Sequence, residues 1–275
     1  MRVLSQQQIS NFFEFGYHGA TRVMSEDQAK QYRSKLESFE ARYPKDVIKL
    51  DQKAQMLCPW IDEMIRLPAL LDVLQDLIGP DILCWGTSLR LKEADGKTFA
   101  GWHQDTAYAD VKPIVIICAL ALSMSSRESG CIRVIPKSQH WDLLPHRENV
   151  GTDSLLTREQ TISANIDESQ ALDLELAPGE VAFFNNAICH CSKPNWTDDR
   201  RILFLVEMVP TKAYQDFPRE SAMLVRGVDN YHHFDIDERP DAEMSETALR
   251  AWRERVEVQA QVLFRGAKRP PRALG

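Results

Sequence analysis

From residue 82 onward the chain is a succession of short apolar segments, each closed by a turn, and this rhythm restricts the fold more than any other feature. Leu83-Cys84-Trp85-Gly86-Thr87-Ser88-Leu89-Arg90-Leu91 runs into Ala94-Asp95-Gly96-Lys97, where Asp and Gly tolerate the backbone angles a reversal demands. Residues 114–124 are apolar without interruption, as expected of a strand buried on both faces. Glu128-Ser129-Gly130 turns into Cys131-Ile132-Arg133-Val134-Ile135, which Pro136 stops. Leu172-Asp173-Leu174-Glu175-Leu176 alternates, and Pro178-Gly179-Glu180 precedes Val181-Ala182-Phe183-Phe184; residues 201–209 form a further strand. Short strands separated by turns predict an antiparallel sandwich or barrel.

The first third reads as a helical layer. Ser5 can cap a helix through Phe12, Phe13 and Phe15 that Gly16 ends. Ser25-Glu26-Asp27-Gln28 is a capping box opening a helix with Ala29, Tyr32, Leu36 and Phe39 at helical spacing. A third helix runs from Pro68 through Leu71, Leu74 and Leu77 to Gly79. Leu249, Trp252, Val256, Ala260 and Leu263 mark a closing amphipathic helix. The helices are expected outside the sheets, in one domain over residues 1–275 with its core at about 82–210. Polar residues 140–170 lack a sustained period and predict a lid-like loop, most of all around 151–170. The basic, Pro-containing end, residues 266–275, predicts a mobile tail.

A net charge of −7 offers no electrostatic reason to expect nucleic acid or an anionic membrane as partner. The absence of a charged-then-apolar leader or a bilayer-length apolar run predicts a cytoplasmic protein. Cys58, Cys84, Cys118, Cys131, Cys189 and Cys191 form no C-x-x-C pair and are expected as small core residues. Oligomeric state is not legible.

Chemistry concentrates in Gly101-Trp102-His103-Gln104-Asp105-Thr106 and a distant His190. In an extended strand His103 and Asp105 share one side, with Trp102 and Gln104 on the other. With His190 they would complete the two-His, one-carboxylate set that binds Fe(II) on one octahedral face and leaves positions open. Cys189-His190-Cys191 invites a zinc reading, but extended geometry turns both thiols away from the imidazole. His18, His140, His146, His232 and His233 are expected on the surface or in loops. Trp141, Tyr108 and Tyr231 are possible lining aromatics, and Arg90 or Arg133 possible partners for an anionic substrate.

Four blocks together resemble the phytanoyl-CoA dioxygenase family of Fe(II)- and 2-oxoglutarate-dependent oxygenases. They are Trp102-His103-Gln104-Asp105; Ser129-Gly130-Cys131-Ile132-Arg133-Val134-Ile135-Pro136-Lys137-Ser138; Pro178-Gly179-Glu180-Val181-Ala182-Phe183-Phe184; and His190-Cys191-Ser192-Lys193-Pro194-Asn195-Trp196-Thr197 followed by Arg201. Lys137 stands where the family often has Gly, and Gln139-His140 displaces the histidine that usually follows the serine.

The resemblance implies a double-stranded β-helix (jelly-roll, cupin-like) core that is mainly β with flanking helices. It implies His103, Asp105 and His190 as iron ligands and Arg201, with Ser192, as partners of the distal carboxylate of 2-oxoglutarate. A guanidinium suits that role through its planar fork. Arg200 is the rival, since both faces of the 201–209 strand are apolar. The implied reaction couples O2 and 2-oxoglutarate to hydroxylation of an unactivated carbon of a small molecule, with succinate and CO2 as co-products and ascorbate as reductant in vitro. Asp105 argues against a halogenase, whose carboxylate position holds Gly or Ala. Desaturation, epoxidation and cyclisation stay open as natural-product tailoring reactions. Rivals from other classes are a non-catalytic binding protein on the same fold and a zinc hydrolase.

Overall fold

The structure, a computed structural model, describes residues 3–107, 109, 111–148, 153–156, 159–216 and 218–264. Two N-terminal helices begin as their capping residues dictate. In α1 (Gln6–Phe15) Ser5 and Gln8 close a reciprocal capping box, and Gly16 ends the helix at φ 85°. In α2 (Glu26–Arg42) Ser25 and Gln28 repeat the device. Between them the helical layer expected from sequence is interrupted by a strand, β1 (Tyr17–Arg22). Its half-exposed, weakly alternating side chains gave no periodic signal, because it lies at the edge of a sheet. Helices α3 (Pro59–Ile65) and α4 (Pro68–Ile78) each carry Pro in the first turn.

The strands then follow in order: β2 (Ile82–Lys92), β3 (Ala100–His103), β4 (Ile116–Ala121), β5 (Ile132–Val134), β6 (His146–Glu148), β7 (Gln160–Ile162), β8 (Leu172–Leu174), β9 (Glu180–Asn185), β10 (His190–Ser192), β11 (Arg201–Pro210), β12 (Ser221–Arg226) and β13 (Asp235–Ile236), before the closing helix α5 (Glu246–Leu263). They form a seven-stranded sheet in the order β1-β9-β4-β11-β2-β12-β13 and a four-stranded sheet in the order β3-β10-β5-β8. The pairings are antiparallel except β12 with β13. A hairpin of β6 and β7 stands beside them. The two facing sheets make the jelly-roll core, with helices on the outer face of the larger one.

The apolar run at 114–124 acquires its reason here. On β4, Ile116, Cys118 and Leu120 pack with Phe12, Leu36, Phe39 and Leu74 in the helix-side core. Ile117, Ala119 and Ala121 pack with Ile132, Val134 and Phe184 between the sheets. Each large aliphatic side chain buried this way contributes about 1.5–3 kcal/mol, so a polar residue on either face would be costly. On β11, Ile202, Phe204, Val206 and Met208 face the helices, which leaves Arg201, Leu203, Leu205 and Glu207 facing inward.

All six cysteines are free and buried. Among the described residues no helix is long and apolar enough to cross a membrane. Lys137, the departure at the usual Gly, adopts φ 68°. Its backbone N–H donates to the Phe15 carbonyl and its ammonium pairs with Glu14 at 2.8 Å, contacts that hold a non-glycine residue in a left-handed conformation. Gln139 donates to the Phe13 and Glu14 carbonyls at the end of α1. The shifted histidine is thus replaced by a helix-end cap.

Candidate active site

β3 and β10 are neighbours, and their register sets His103 opposite His190. The imidazole centroids are 4.0 Å apart. Asp105 arrives by a route different from the extended one expected: β3 ends at His103, and Asp105 opens a short 3-10 turn (Asp105–Ala107). The backbone N–H of Asp105 donates to the Asn186 carbonyl, and the turn swings the carboxylate back to the histidines. Asp105 Oδ1 lies 3.4 Å from His103 Nε2, and Oδ2 3.8 Å from His190 Nε2. The three donor atoms lie within 4.8 Å of one another, and among the described residues no other group of His, Cys, Asp and Glu side chains converges in this way.

The donor set fits a divalent first-row metal for a reason visible behind the ligands. His103 Nδ1 sits 2.8 Å from the Gly101 carbonyl and His190 Nδ1 3.0 Å from the Ile188 carbonyl. A carbonyl can only accept, so each Nδ1 carries a proton and donates it, which turns each Nε2 toward Asp105. Burial first, and then the neighbouring His103, lower His190 to about 4, so the ring is neutral. Burial alone would raise the Asp105 carboxyl, but facing His190 and His103 it is held below its ordinary value. Two imidazoles and one carboxylate suit Fe(II).

Gln104, which faces away as expected, ties the ligand loop down. Its amide donates to the Ala187 carbonyl and accepts from the Leu144 N–H. His146, expected on the surface or in a loop, is half-buried in β6, and its Nε2 accepts from the Gln104 backbone. No sequence signal marked it, because its role depends on a hairpin folded back over the ligand strand.

The cavity in front of the triad is lined by Arg201 and Ser192 at one end. Arg201 is 2% exposed, and its guanidinium has no carboxylate or hydrogen-bond partner among the described residues. Burial, with a contribution from nearby Arg90, lowers it to about 9. Arg200 has the opposite surroundings: bonds of 2.7 and 2.9 Å to Glu40 and a 2.8 Å contact with Glu93. Strand parity separates the two. Arg200 falls on the helix side with Ile202, Arg201 on the cavity side with Leu203.

Ser192 Oγ accepts a 2.8 Å bond from buried Lys92, whose ammonium also reaches the Gly130 and Lys193 carbonyls. Burial, and then Arg201, lower Lys92 to about 6. Of the arginines suggested for an anion, Arg133 is taken by Asp173 at 2.8 Å and Glu168 at 3.0 Å. Arg90 lines the cavity and makes one hydrogen bond, to the Leu155 carbonyl. Trp141 and Tyr231 are exposed and do not line it, and Tyr108 lies outside the described residues. Burial pushes the Cys189 and Cys191 thiols up to about 11 and about 12, against zinc thiolates.

The phytanoyl-CoA dioxygenase (PhyH) family profile matches residues 12–203, well over half of the chain. The chain belongs to the phytanoyl-CoA dioxygenase family. This member is similar to a probable phytanoyl-CoA dioxygenase of Caenorhabditis elegans, 27% identical over 151 residues that cover 52% of this chain and 48% of the relative. The alignments span about half the length of the first curated relatives it matches. Among solved structures it resembles the non-heme monooxygenase ThoJ in its apo form, with a TM-score of 0.82, 25% identity, and coverage of 94% of this chain and 98% of that one. It also shares its fold with CytC3 bound to Fe(II) and alpha-ketoglutarate, with a TM-score of 0.63, 20% identity, and coverage of 88% and 96%.

Proposed function

We propose that this family member is an Fe(II)- and 2-oxoglutarate-dependent dioxygenase that hydroxylates an unactivated carbon of a small-molecule substrate. The observation that carries the reading is the buried guanidinium of Arg201, without an anionic partner, in the same cavity as a His-Asp-His donor set. An uncompensated buried cation is costly, and a dicarboxylate cosubstrate removes the cost. His103, Asp105 and His190 would hold the metal. When bound, iron with 2-oxoglutarate supplies activation of O2, coupled to formation of succinate and CO2.

The chain's own residues orient and exclude. Arg201 offers its fork to the distal carboxylate. Ser192, accepting from Lys92, keeps its own O–H to donate to the same carboxylate. Leu203, Leu205, Ile117 and Phe184 wall the cavity against water. Leu155 and Leu156 close it from the loop at 140–170, which we assign as its lid; residues 149–152, 157 and 158 of that loop and the tail from 265 lie outside the described residues. Shortening the loop is expected to raise succinate formed per substrate oxidised, and an unchanged ratio would remove the lid role. The free, buried thiols accord with a cytoplasmic setting.

The assay is anaerobic titration of the chain with Fe(II) and 2-oxoglutarate, followed by aerobic measurement of succinate with ascorbate present. Binding of both, with succinate formed only when both are supplied, is expected. Failure of 2-oxoglutarate to bind the metal-loaded chain defeats the reading and leaves a binding protein on this fold.

A further inference from the structure

The cavity does not end at the metal. It continues along the inner face of β2 and β11 to Glu207, Trp85, Gln52 and Gln259, where α5 closes it. The pairing of β11 with β2 slips between Glu207 and Met208, so that Gly86 faces Glu207 while Cys84 faces Met208 and Trp85 is the extra residue. A bulge of this kind turns two successive residues toward one side, and here Trp85 and Gly86 both line the cavity. The missing side chain of Gly86 makes room for the carboxylate: a Cβ there would stand 2.5 Å from Glu207 Oε2 and 3.8 Å from Gln259 Nε2.

The polar groups of this far end are left without partners. Glu207 makes no hydrogen bond or ion pair among the described residues, and Lys53, a buried lysine lining the same cavity, is engaged with Asp237 and the Trp85 and Ser221 carbonyls. Both polar atoms of the Gln52 side chain are buried and unpaired, and the Gln52 backbone is fixed by the Trp252 indole of α5. Buried groups in this condition call for a ligand that completes them. A carboxylate beside the unpaired Gln52 amide oxygen, with Trp85 lining the same cavity, matches an organic cation.

Nearer the metal, Arg90 is the second cavity cation without a carboxylate. It lies on β2 four residues from Gly86, so along the strand the two charges are spaced by about 13 Å, less the reach of the two side chains toward each other. Arg90 near the metal and Glu207 at the far end thus stand as opposed poles across the space between them.

Resting on the proposed dioxygenase reading, we infer that the substrate is a zwitterion, its anionic group held by Arg90 and its cationic nitrogen by Glu207, Gln52 and Gln259, with the carbon to be oxidised between them. Glu207 and Arg90 are then specificity-determining residues for a bipolar substrate. A wholly apolar acyl chain would leave both unpartnered.

The test uses the full chain loaded with Fe(II) and 2-oxoglutarate under anaerobic conditions. Unbranched ω-amino acids of increasing length are titrated against the alkylamine and the carboxylic acid of matched length, with binding followed by calorimetry. At one length the bipolar probe is expected to bind about tenfold more tightly than either monopolar partner. Glu207→Gln should reduce that probe to the affinity of its carboxylic acid counterpart, and Arg90→Gln to that of its amine. Melting curves of both variants check that they are folded. If iron and 2-oxoglutarate bind but no ω-amino acid exceeds its monopolar partners, or the preference survives both substitutions, the zwitterion assignment is overturned while the dioxygenase reading stands. If 2-oxoglutarate itself fails to bind, it is the dioxygenase reading that falls.

Discussion

The two ends of the cavity are built by opposite rules. At the metal end each functional side chain is backed by backbone: His103 by Gly101, His190 by Ile188, and the loop between them by Gln104 bridging Leu144 and Ala187. At the far end the Gln52 backbone is held by the Trp252 indole, but the side chains of Gln52 and Glu207 line the cavity without hydrogen-bond partners. The contrast teaches which interactions the protein makes in advance. Ligand orientation is fixed before any metal arrives, whereas the far end gains its hydrogen bonds only with a substrate present.

The hardest test of the pre-set end is Asp105→Ala. Metal affinity by calorimetry and succinate formation should both fall beyond the ~100-fold that follows loss of a group behind a ligand. Retained iron binding would mean that the two imidazoles suffice. Next in size is the pair of neighbouring arginines. Arg201→Met should weaken 2-oxoglutarate binding about 10- to 100-fold, the equivalent of one or two charged hydrogen bonds. It should also raise the melting temperature, because a buried cation without a partner has been removed. Arg200→Met should do the reverse, lowering stability by about 1 kcal/mol and leaving 2-oxoglutarate affinity unchanged. Titration and melting of both variants check this inversion.

Gln104→Leu sharpens the comparison further. It leaves all three ligands in place but frees the loop that carries two of its hydrogen bonds, so metal affinity should fall about tenfold with a smaller change in stability.

The smallest effect belongs to the far end. Burial first, and then facing Asp105, push the Glu207 carboxyl up to about 7, with Glu220 acting the same way and Arg90 and Lys53 opposing. Below the ordinary carboxylate range both folded and unfolded chains hold the proton, and Glu207 exacts nothing. As pH rises toward 7 the unfolded chain releases its proton first, so stability falls across that window and stays reduced above it. Glu207→Gln lacks this loss. Its melting temperature relative to the wild type should therefore climb between pH 4.5 and 7.5, and a flat difference would remove Glu207 from the interior of the cavity.

Much of this arrangement was legible in the order of residues. The capping boxes at Ser5 and Ser25 and the two-faced strand at 114–124 rest on local rules and are present where those rules put them, and the histidine–carboxylate pair converges as expected, though through a 3-10 turn and not an extended strand. Other features escaped. β1 sits at a sheet edge and carries little apolar signal. His146 gains its role from a hairpin folded back onto Gln104. Glu207 lies in a strand whose neighbours are all apolar, and only the slipped register with β2 turns the extra residue, Trp85, to the same side as Gly86.

The sequence by itself determined most of the helices and central strands, the chemical identity of the donors and the alternation along unbulged strands, since these depend on propensity and on near neighbours. Which parity faces the cavity was decided only by tertiary structure. Helices covering one face of the large sheet send Arg200 to Glu40 and leave Arg201 inside. The same holds for the distance from His190 to His103: residues far apart in the chain are brought opposite one another by the pairing of β10 with β3, a long-range contact no local pattern encodes.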